Sequence, residues 1–201
     1  MDFALPVQSL IPGVQGRVLD VLARMTAELN LGTVARLAGV SAAQASRVMP
    51  RLVELGVVER REVPPSALFR LVRENLLART VVDIVNVQER AIDRLRVLAG
   101  GITPSPASMV LFGSFARGEA DVGSDIDVLV VRRADVDEDD DRWGRSLSEW
   151  LLEAKRTVGN RISHTEITST EVRSKLRSRK PLWREIARDA VVLRGKRLES
   201  L

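Results

Sequence analysis

The sequence predicts an α/β (α+β) chain of two modules joined by a long helix. Three observations lead there. Residues 14–73 read as helix, helix, helix and then a hairpin. Residues 74–100 carry one apolar stripe at helical spacing. Beyond a Gly/Pro boundary at 100–106, two short apolar strands flank a Gly-Ser break. The expected divisions are 1–73, 74–101 and 102–201.

Composition narrows the function classes before any element is placed. At 201 residues, 45% hydrophobic and 29% charged, the chain is sized for one large domain or two small ones. It has no cysteine, which excludes disulfides, zinc-thiolate sites and thiol nucleophiles and fits a reducing cytoplasm. No apolar run approaches the ~18 residues of a membrane span, and the start MDFALPVQSLIPG lacks the basic region of a signal peptide. The expectation is a cytoplasmic chain with no membrane partner. The net charge is +4, carried almost wholly by arginine, since the only lysines are Lys155, Lys175, Lys180 and Lys196. An arginine bias follows genome composition as readily as phosphate binding. The charge is uneven: from Arg173 to Arg197 only Glu185 and Asp189 oppose the basic residues, whereas Asp135 to Asp141 reads as a solvated acidic loop.

In the first module, Val18, Val21, Leu22 and Met25 recur at helical spacing, and TVARLAGV follows as a second helix closed near Gly39. Ser41 is a good N-cap for a third helix that runs to Gly56. VVERREV and ALFRLV then form two strands around Pro64-Pro65-Ser66. Three helices followed by a β-hairpin is the order of a winged helix-turn-helix. LGTVARLAGVSAAQASRVMPRLVELGVVERR resembles the bacterial winged-helix repressors: Ala35 and Gly39 fall where that family packs two helices closely, and Leu52 to Val58 matches its exit into the wing. The resemblance implies DNA as a partner, met by Ser41, Gln44, Arg47 and Arg51 on the third helix and by Arg60 and Arg61 in the wing. It also makes a homodimer part of the expectation. Pro50 departs from a regular recognition helix, because it removes a backbone donor at about 3 kcal/mol, and predicts a kink or a late start. A winged helix that serves only dimerisation or protein contact is the competing reading. Leu77, Val81, Ile84, Val85, Ile92, Leu95 and Leu98 then predict a single connecting helix over 74–100.

The chemistry sits in ASMVLFGSFARGEADVGSDIDVLVVRR. Met109 to Phe112 reads as a buried strand broken by Gly113-Ser114, and Ile126 to Val131 as a second strand. Alternation along that strand puts Asp125 and Asp127 on one face. Two carboxylates so close repel unless a cation lies between them, and hard oxygen ligands suit Mg²⁺, with Mn²⁺ as the alternative. Gly113 lets backbone approach a ligand, Ser114 adds a hydroxyl, and Arg117 lies three residues on. A phosphate cradle beside paired metal ligands is the equipment of phosphoryl or nucleotidyl transfer.

Gly113-Ser114-x-x-Arg117-Gly118, five residues, then Ser124-Asp125-Ile126-Asp127 resembles the signature of the DNA polymerase beta-like nucleotidyltransferases, nearest their minimal nucleotidyltransferase branch. The resemblance implies a C-terminal nucleotidyltransferase domain with a small mixed β-sheet flanked by helices. It implies that Gly113, Ser114, Arg117 and Ser124 hold a nucleoside triphosphate, ATP by expectation, and that Asp125 and Asp127 ligate Mg²⁺. The family uses a third carboxylate on a later strand, and Glu166 on RISHTEI is the candidate catalytic and metal-binding residue. Glu171 is the rival, although Thr168-Ser169-Thr170-Glu171 reads as a capping box. His164, the one histidine, is read as incidental, and Trp143, Trp150 and Trp183 as core. Relatives of this branch often act as antitoxins that adenylylate a HEPN-type toxin, so the expected acceptor is a hydroxyl of a protein, an RNA or a small molecule. The alternative is a transcriptional regulator whose second domain only senses nucleotide.

Overall fold

The computed structural model describes all of residues 1–201. The chain divides into two compact units, Leu5–Val87 and a second formed by Met1–Ala4 with Gln88–Leu201. No helix is long and apolar enough to cross a membrane.

The N-terminal unit holds α1 (Pro6–Leu10), α2 (Val14–Arg24), β1 (Leu29–Asn30), α3 (Leu31–Leu37), α4 (Ala42–Glu54), β2 (Val58–Val63), β3 (Ser66–Leu71) and α5 (Leu76–Val85). The strands form one antiparallel sheet in the order β1-β3-β2, with Leu29 opposite Phe69 and Arg60 opposite the same residue. Of the stripe predicted on the first helix, Val18, Val21 and Leu22 are buried, whereas Met25 falls just past the end of α2 and is exposed; Val34, Ala35, Ala45, Met49 and Leu52 complete the core against Val58, Phe69 and Leu71. Caps set the helix starts. The Asn30 side chain accepts from Thr33 N at 2.8 Å, and Ser41 and Gln44 form a reciprocal capping box. Gly39 does not serve close packing. A Cβ there would meet nothing within 4 Å, and the glycine is required by a φ of +62 in the turn between α3 and α4. Pro50 neither delays nor ends α4, which runs unbroken from its cap.

Residues 74–100 form two helices, not one. α5 stops at Asn86, whose φ of −89 and ψ of 15 leave the helical region, and α6 (Val87–Ala99) begins at the next residue. Asparagine favours such a stop because its side chain competes for nearby backbone groups. The two units part between Val87 and Gln88, so α5 packs with the first and nearly all of α6 with the second. Apolar periodicity alone cannot show this break, since both helices carry a buried stripe.

The C-terminal unit adds β4 (Ser108–Phe112), α7 (Gly113–Ala116), β5 (Ile126–Arg132), α8 (Asp141–Val158), β6 (Ile162–Thr168), α9 (Val172–Leu176), α10 (Pro181–Asp189), β7 (Val191–Gly195) and a 3₁₀ turn at Leu198–Ser200. The sheet order is β6-β5-β4-β7, with β5 parallel to β6 and the other pairs antiparallel. It is the small mixed sheet that the sequence predicts. On one face Val110, Phe112, Leu129, Val131 and Ile167 pack against Val172, Trp183, Ile186 and Leu198. By alternation, Met109, Leu111, Val128 and Val130 take the other face, all fully buried. The three tryptophans are buried, as core residues should be. Asp140, at the end of the acidic run, caps α8 by accepting from Arg142 N and Trp143 N at 2.9 and 2.8 Å.

Candidate functional site

Three short pieces of chain bring the candidate residues together: the β4–α7 junction, the start of β5 and the outer turns of α10. β4 and β5 pair in a register that sets Phe112 opposite Asp127, so the residue after Phe112 lies against that carboxylate. Gly113 has φ +73, and a Cβ built on it would come within 2.8 Å of Asp127 Oδ2. Glycine is therefore required twice, by conformation and by the close approach of backbone to the acid. Asp125 immediately precedes β5, and its one cationic neighbour is Arg161, 3.6 Å away and largely exposed. The Asp127 carboxyl is raised above its ordinary pKa by partial burial, then by the charge of Asp125, then by that of Glu185. Asp127 itself has no cationic partner, although Asp125 lies 3.6 Å from Arg161 and Glu185 accepts from Arg117, and this makes Asp127 the receptive point for a cation.

Register decides the fate of Glu166. Asp127 pairs with Ser163 and Val130 with Glu166 across the parallel β5–β6 ladder. Paired residues point the same way, so Asp127 shares its face with Ser163 and Thr165, while Glu166 and His164 belong to the opposite face. There Glu166 Oε1 accepts from Arg132 Nε at 2.7 Å and from Trp143 Nε1 at 3.0 Å. The expectation of Glu166 as third carboxylate is overturned: it neutralises the buried Arg132, which also donates to the Val136 carbonyl and lies 3.8 Å from the exposed Glu138. Glu171 is occupied too, accepting from Thr168 N at 2.9 Å and Thr168 Oγ at 3.0 Å, but the expected capping box is incomplete, since Glu171 N donates to the Thr168 carbonyl and not to its hydroxyl. On β6 the face of Asp127 carries no acid at all. The missed acid is Glu185 of α10. Its spacing from Asp189 puts both on one helical face, which was legible in the sequence, but their partner was not.

That partner is Arg117. Its Nε donates to Glu119 at 2.8 Å, and its Nη1 donates to Glu185 at 3.3 Å and to Asp189 at 2.5 Å. The expected phosphate ligand is thus given over to three carboxylates, and it ties the end of α7 to α10. Asp189 has a side chain only 4% exposed and is forked between two arginines. Arg188 donates from Nε at 2.6 Å and Nη2 at 2.9 Å, and with Arg117 it holds the Asp189 carboxyl down to about 2. Ser124 likewise turns inward: its hydroxyl donates to Asp121 Oδ1 at 2.8 Å and accepts from Asp121 N. Asn160 supports that turn from below, donating to the Asp121 and Ser124 carbonyls at 2.9 and 3.0 Å. Its role was hidden in what reads as a plain Gly-Asn break. Of the predicted set, the structure gathers Gly113, Ser114, Asp125 and Asp127, with Arg117 one turn away in its carboxylate clasp.

The DNA-facing candidates lie on α4 and the β2–β3 wing. Ser41 and Gln44 spend part of their polar groups on each other in the capping box. Arg51 pairs with Glu54 at 2.8 Å, Arg60 with Glu62 at 2.8 Å, and Arg61 with Glu28. Arg47 is exposed and has no acidic partner. Pairs this exposed are worth little and open readily to a competing phosphate.

Comparison with known proteins follows the same division. Residues 90–187 match the nucleotidyltransferase domain family and residues 16–62 the IclR helix-turn-helix domain family. Among curated proteins none matches. A solved structure described as a crystal structure of a toxin-antitoxin with AMP-PNP is 18% identical, covering 54% of this chain and 76% of that one at a TM-score of 0.37. That overlap is too low to argue from. The chain is a nucleotidyltransferase-domain protein that carries an IclR-type helix-turn-helix domain at its N-terminal side.

Proposed function

We propose that the chain moves a nucleoside monophosphate, AMP from ATP, to the hydroxyl of an acceptor, and that its winged helix binds DNA. The observation that carries this reading is the Asp125–Asp127 pair lying against a glycine that brings backbone to within a would-be Cβ contact of 2.8 Å. Two carboxylates countered only by the exposed Arg161 beside Asp125 offer hard oxygen donors that fit a divalent cation, and Asp125 and Asp127 would hold Mg²⁺ or Mn²⁺. When bound, the ion supplies charge neutralisation at the α-phosphate and at the leaving pyrophosphate.

The chain's own residues do the rest. Gly113 and Ser114 offer backbone and hydroxyl donors beside Asp127, where the phosphates would lie. The acceptor oxygen forms a bond to the α-phosphorus as the bond to the bridging oxygen breaks; pyrophosphate leaves, and the hydroxyl proton passes to a carboxylate or to solvent. Arg117 works at one remove, by holding the α7 turn on α10. Glu185 adds negative charge at Asp127, but its carboxylate accepts from Arg117, so it does not stand in for the third ligand expected of Glu166. The resemblance to the minimal nucleotidyltransferases favours a protein acceptor, a HEPN-type toxin.

The deciding experiment is transfer of label from α-labelled nucleoside triphosphates with Mg²⁺, using purified protein and host lysate. Label on a macromolecule, absent with Asp125→Asn/Asp127→Asn protein, supports the reading. A second reading, a regulator that only senses nucleotide, draws on the IclR-type domain. It gains if no label moves while ATP with Mg²⁺ changes DNA affinity.

A further inference from the structure

Away from Asp125 and Asp127, the C-terminal unit has a polar cavity of about 390 Å³ bordered by Arg96 of α6, Arg188 of α10 and Arg197 before the last turn. Three arginines from distant parts of the chain line it, with Glu199 as the one acid on the lining. Their donors are only partly used. Arg96 gives Nε to the Val192 carbonyl at 3.1 Å and Nη1 to Asp93 at 2.8 Å. Arg188 gives Nε and Nη2 to Asp189, and Arg197 has no partner. The Nη2 group of Arg96, the Nη1 group of Arg188 and the whole Arg197 fork therefore remain to be satisfied. Arg96 and Arg188 are already countered by Asp93 and Asp189, so the unpaired positive charge at the cavity is that of Arg197, beside the unused N–H groups of the other two. Guanidinium forks match phosphate oxygens in pairs.

We infer that this cavity is a second anion site, which takes a compact phosphate oxyanion: pyrophosphate, or the phosphate tail of a nucleotide. Its walls connect it to the candidate active site. Arg188 and Arg117 share Asp189, so an anion that draws Arg188 away leaves Asp189 to Arg117 alone and alters the clasp between α7 and α10. That coupling rests on the nucleotidyl-transfer reading; the binding itself does not.

Titration calorimetry with pyrophosphate, and separately with ATP, tests the site in metal-free, low-salt buffer. Asp125→Asn/Asp127→Asn protein is used beside wild type, so that binding at the paired acids is removed. The expected result is one-to-one binding that survives in the double asparagine variant and weakens about tenfold in Arg96→Gln and in Arg197→Gln. Both arginines are exposed, and unchanged melting without ligand shows that the variants are folded. Lys175→Gln/Arg177→Gln, which removes positive charge outside the cavity lining, should bind as wild type does. The tighter of the two probes identifies the source of the phosphate. No binding, binding unaltered by Arg96→Gln and Arg197→Gln, or equal loss in the Lys175/Arg177 control would overturn the inference. Absence of label transfer would not, because no arm of this test needs turnover.

Discussion

The two units differ in the charge they leave at their candidate binding surfaces, although both pair arginines with acids elsewhere. In the winged-helix unit arginines are set against acids: Arg51 with Glu54, Arg60 with Glu62, Arg61 with Glu28, Arg70 with Glu59. In the transferase unit Asp125 and Asp127 stand together with no cation nearer than an exposed Arg161 at 3.6 Å. Surface pairs lose little when a partner is exchanged, so the first pattern suits a surface that meets DNA reversibly. A half-buried pair of like charges destabilises the empty protein, and the second pattern makes sense where a ligand supplies the missing charge. Uncompensated charge, more than charge density, separates the site from the scaffold.

The largest test of this contrast removes the uncompensated pair. Asp125→Asn/Asp127→Asn should lower transfer by roughly a thousandfold or more, since the acids would hold the ion that neutralises the transferred phosphate. DNA affinity, measured by fluorescence anisotropy, should stay as it was. Loss of both activities together would mean that the pair holds the fold rather than a ligand. Next in size is Gly113→Ala. It forces a side chain into left-handed backbone at φ +73 and against the Asp127 carboxylate. Strain of that kind costs about 1–3 kcal/mol, and transfer should fall by on the order of a hundredfold. Single-turnover kinetics that match wild type would refute the close approach.

Much of this was readable from sequence, and the misses have specific causes. The placement of Gly113, Ser114, Asp125 and Asp127 beside one another was legible because it depends on local spacing around one turn and one strand. Glu166 was misread because its role depends on register. RISHTEI shows alternation, but only pairing with β5 reveals that Glu166 faces Arg132 rather than Asp127. Arg117 was misread for a related reason: its three carboxylate partners include two that lie 68 and 72 residues away on α10. In the N-terminal unit the core stripes and the Ser41 cap were legible, while the break at Asn86 was not, because both sides of it keep helical apolar spacing.

Glu166 gives the third test. Glu166→Ala leaves buried Arg132 with only the exposed Glu138 at 3.8 Å as counter-charge and Trp143 Nε1 without its acceptor. The Glu166 side chain is 26% exposed, so water offsets part of the loss, and a destabilisation of about 2–3 kcal/mol is expected. It should appear as a lower urea midpoint with Mg²⁺ affinity unchanged. A metal ligand would show the reverse: an intact midpoint and weakened Mg²⁺ binding.

In the winged-helix unit, Arg47→Gln should reduce the slope of log affinity against log salt by about 0.9, the loss of one phosphate contact on duplex DNA. Arg61→Gln should change it less, because Arg61 already shares its charge with Glu28. Equal slopes for both variants would show that exposed pairing does not rank these residues.

The smallest effect is the most direct measure of uncompensated charge. The Asp127 carboxyl is raised in the folded chain by burial, by Asp125 and by Glu185. A carboxyl raised on folding favours the native state while it is protonated and penalises it once ionised. The penalty is absent below the unfolded value, grows as pH rises through the raised native value, and is constant above it. Asp127→Asn removes it, so without divalent ions the variant should melt above wild type at neutral pH, by on the order of 2 °C. The gap should close as pH falls into the carboxylate range, because wild type then takes up the proton that relieves it. Added Mg²⁺ should invert the order by raising the melting point of wild type alone, through ligand binding to the native state. A variant that melts below wild type at neutral pH without metal would mean that Asp127 is paired with a cation, and the contrast between the two units would fail at its central residue.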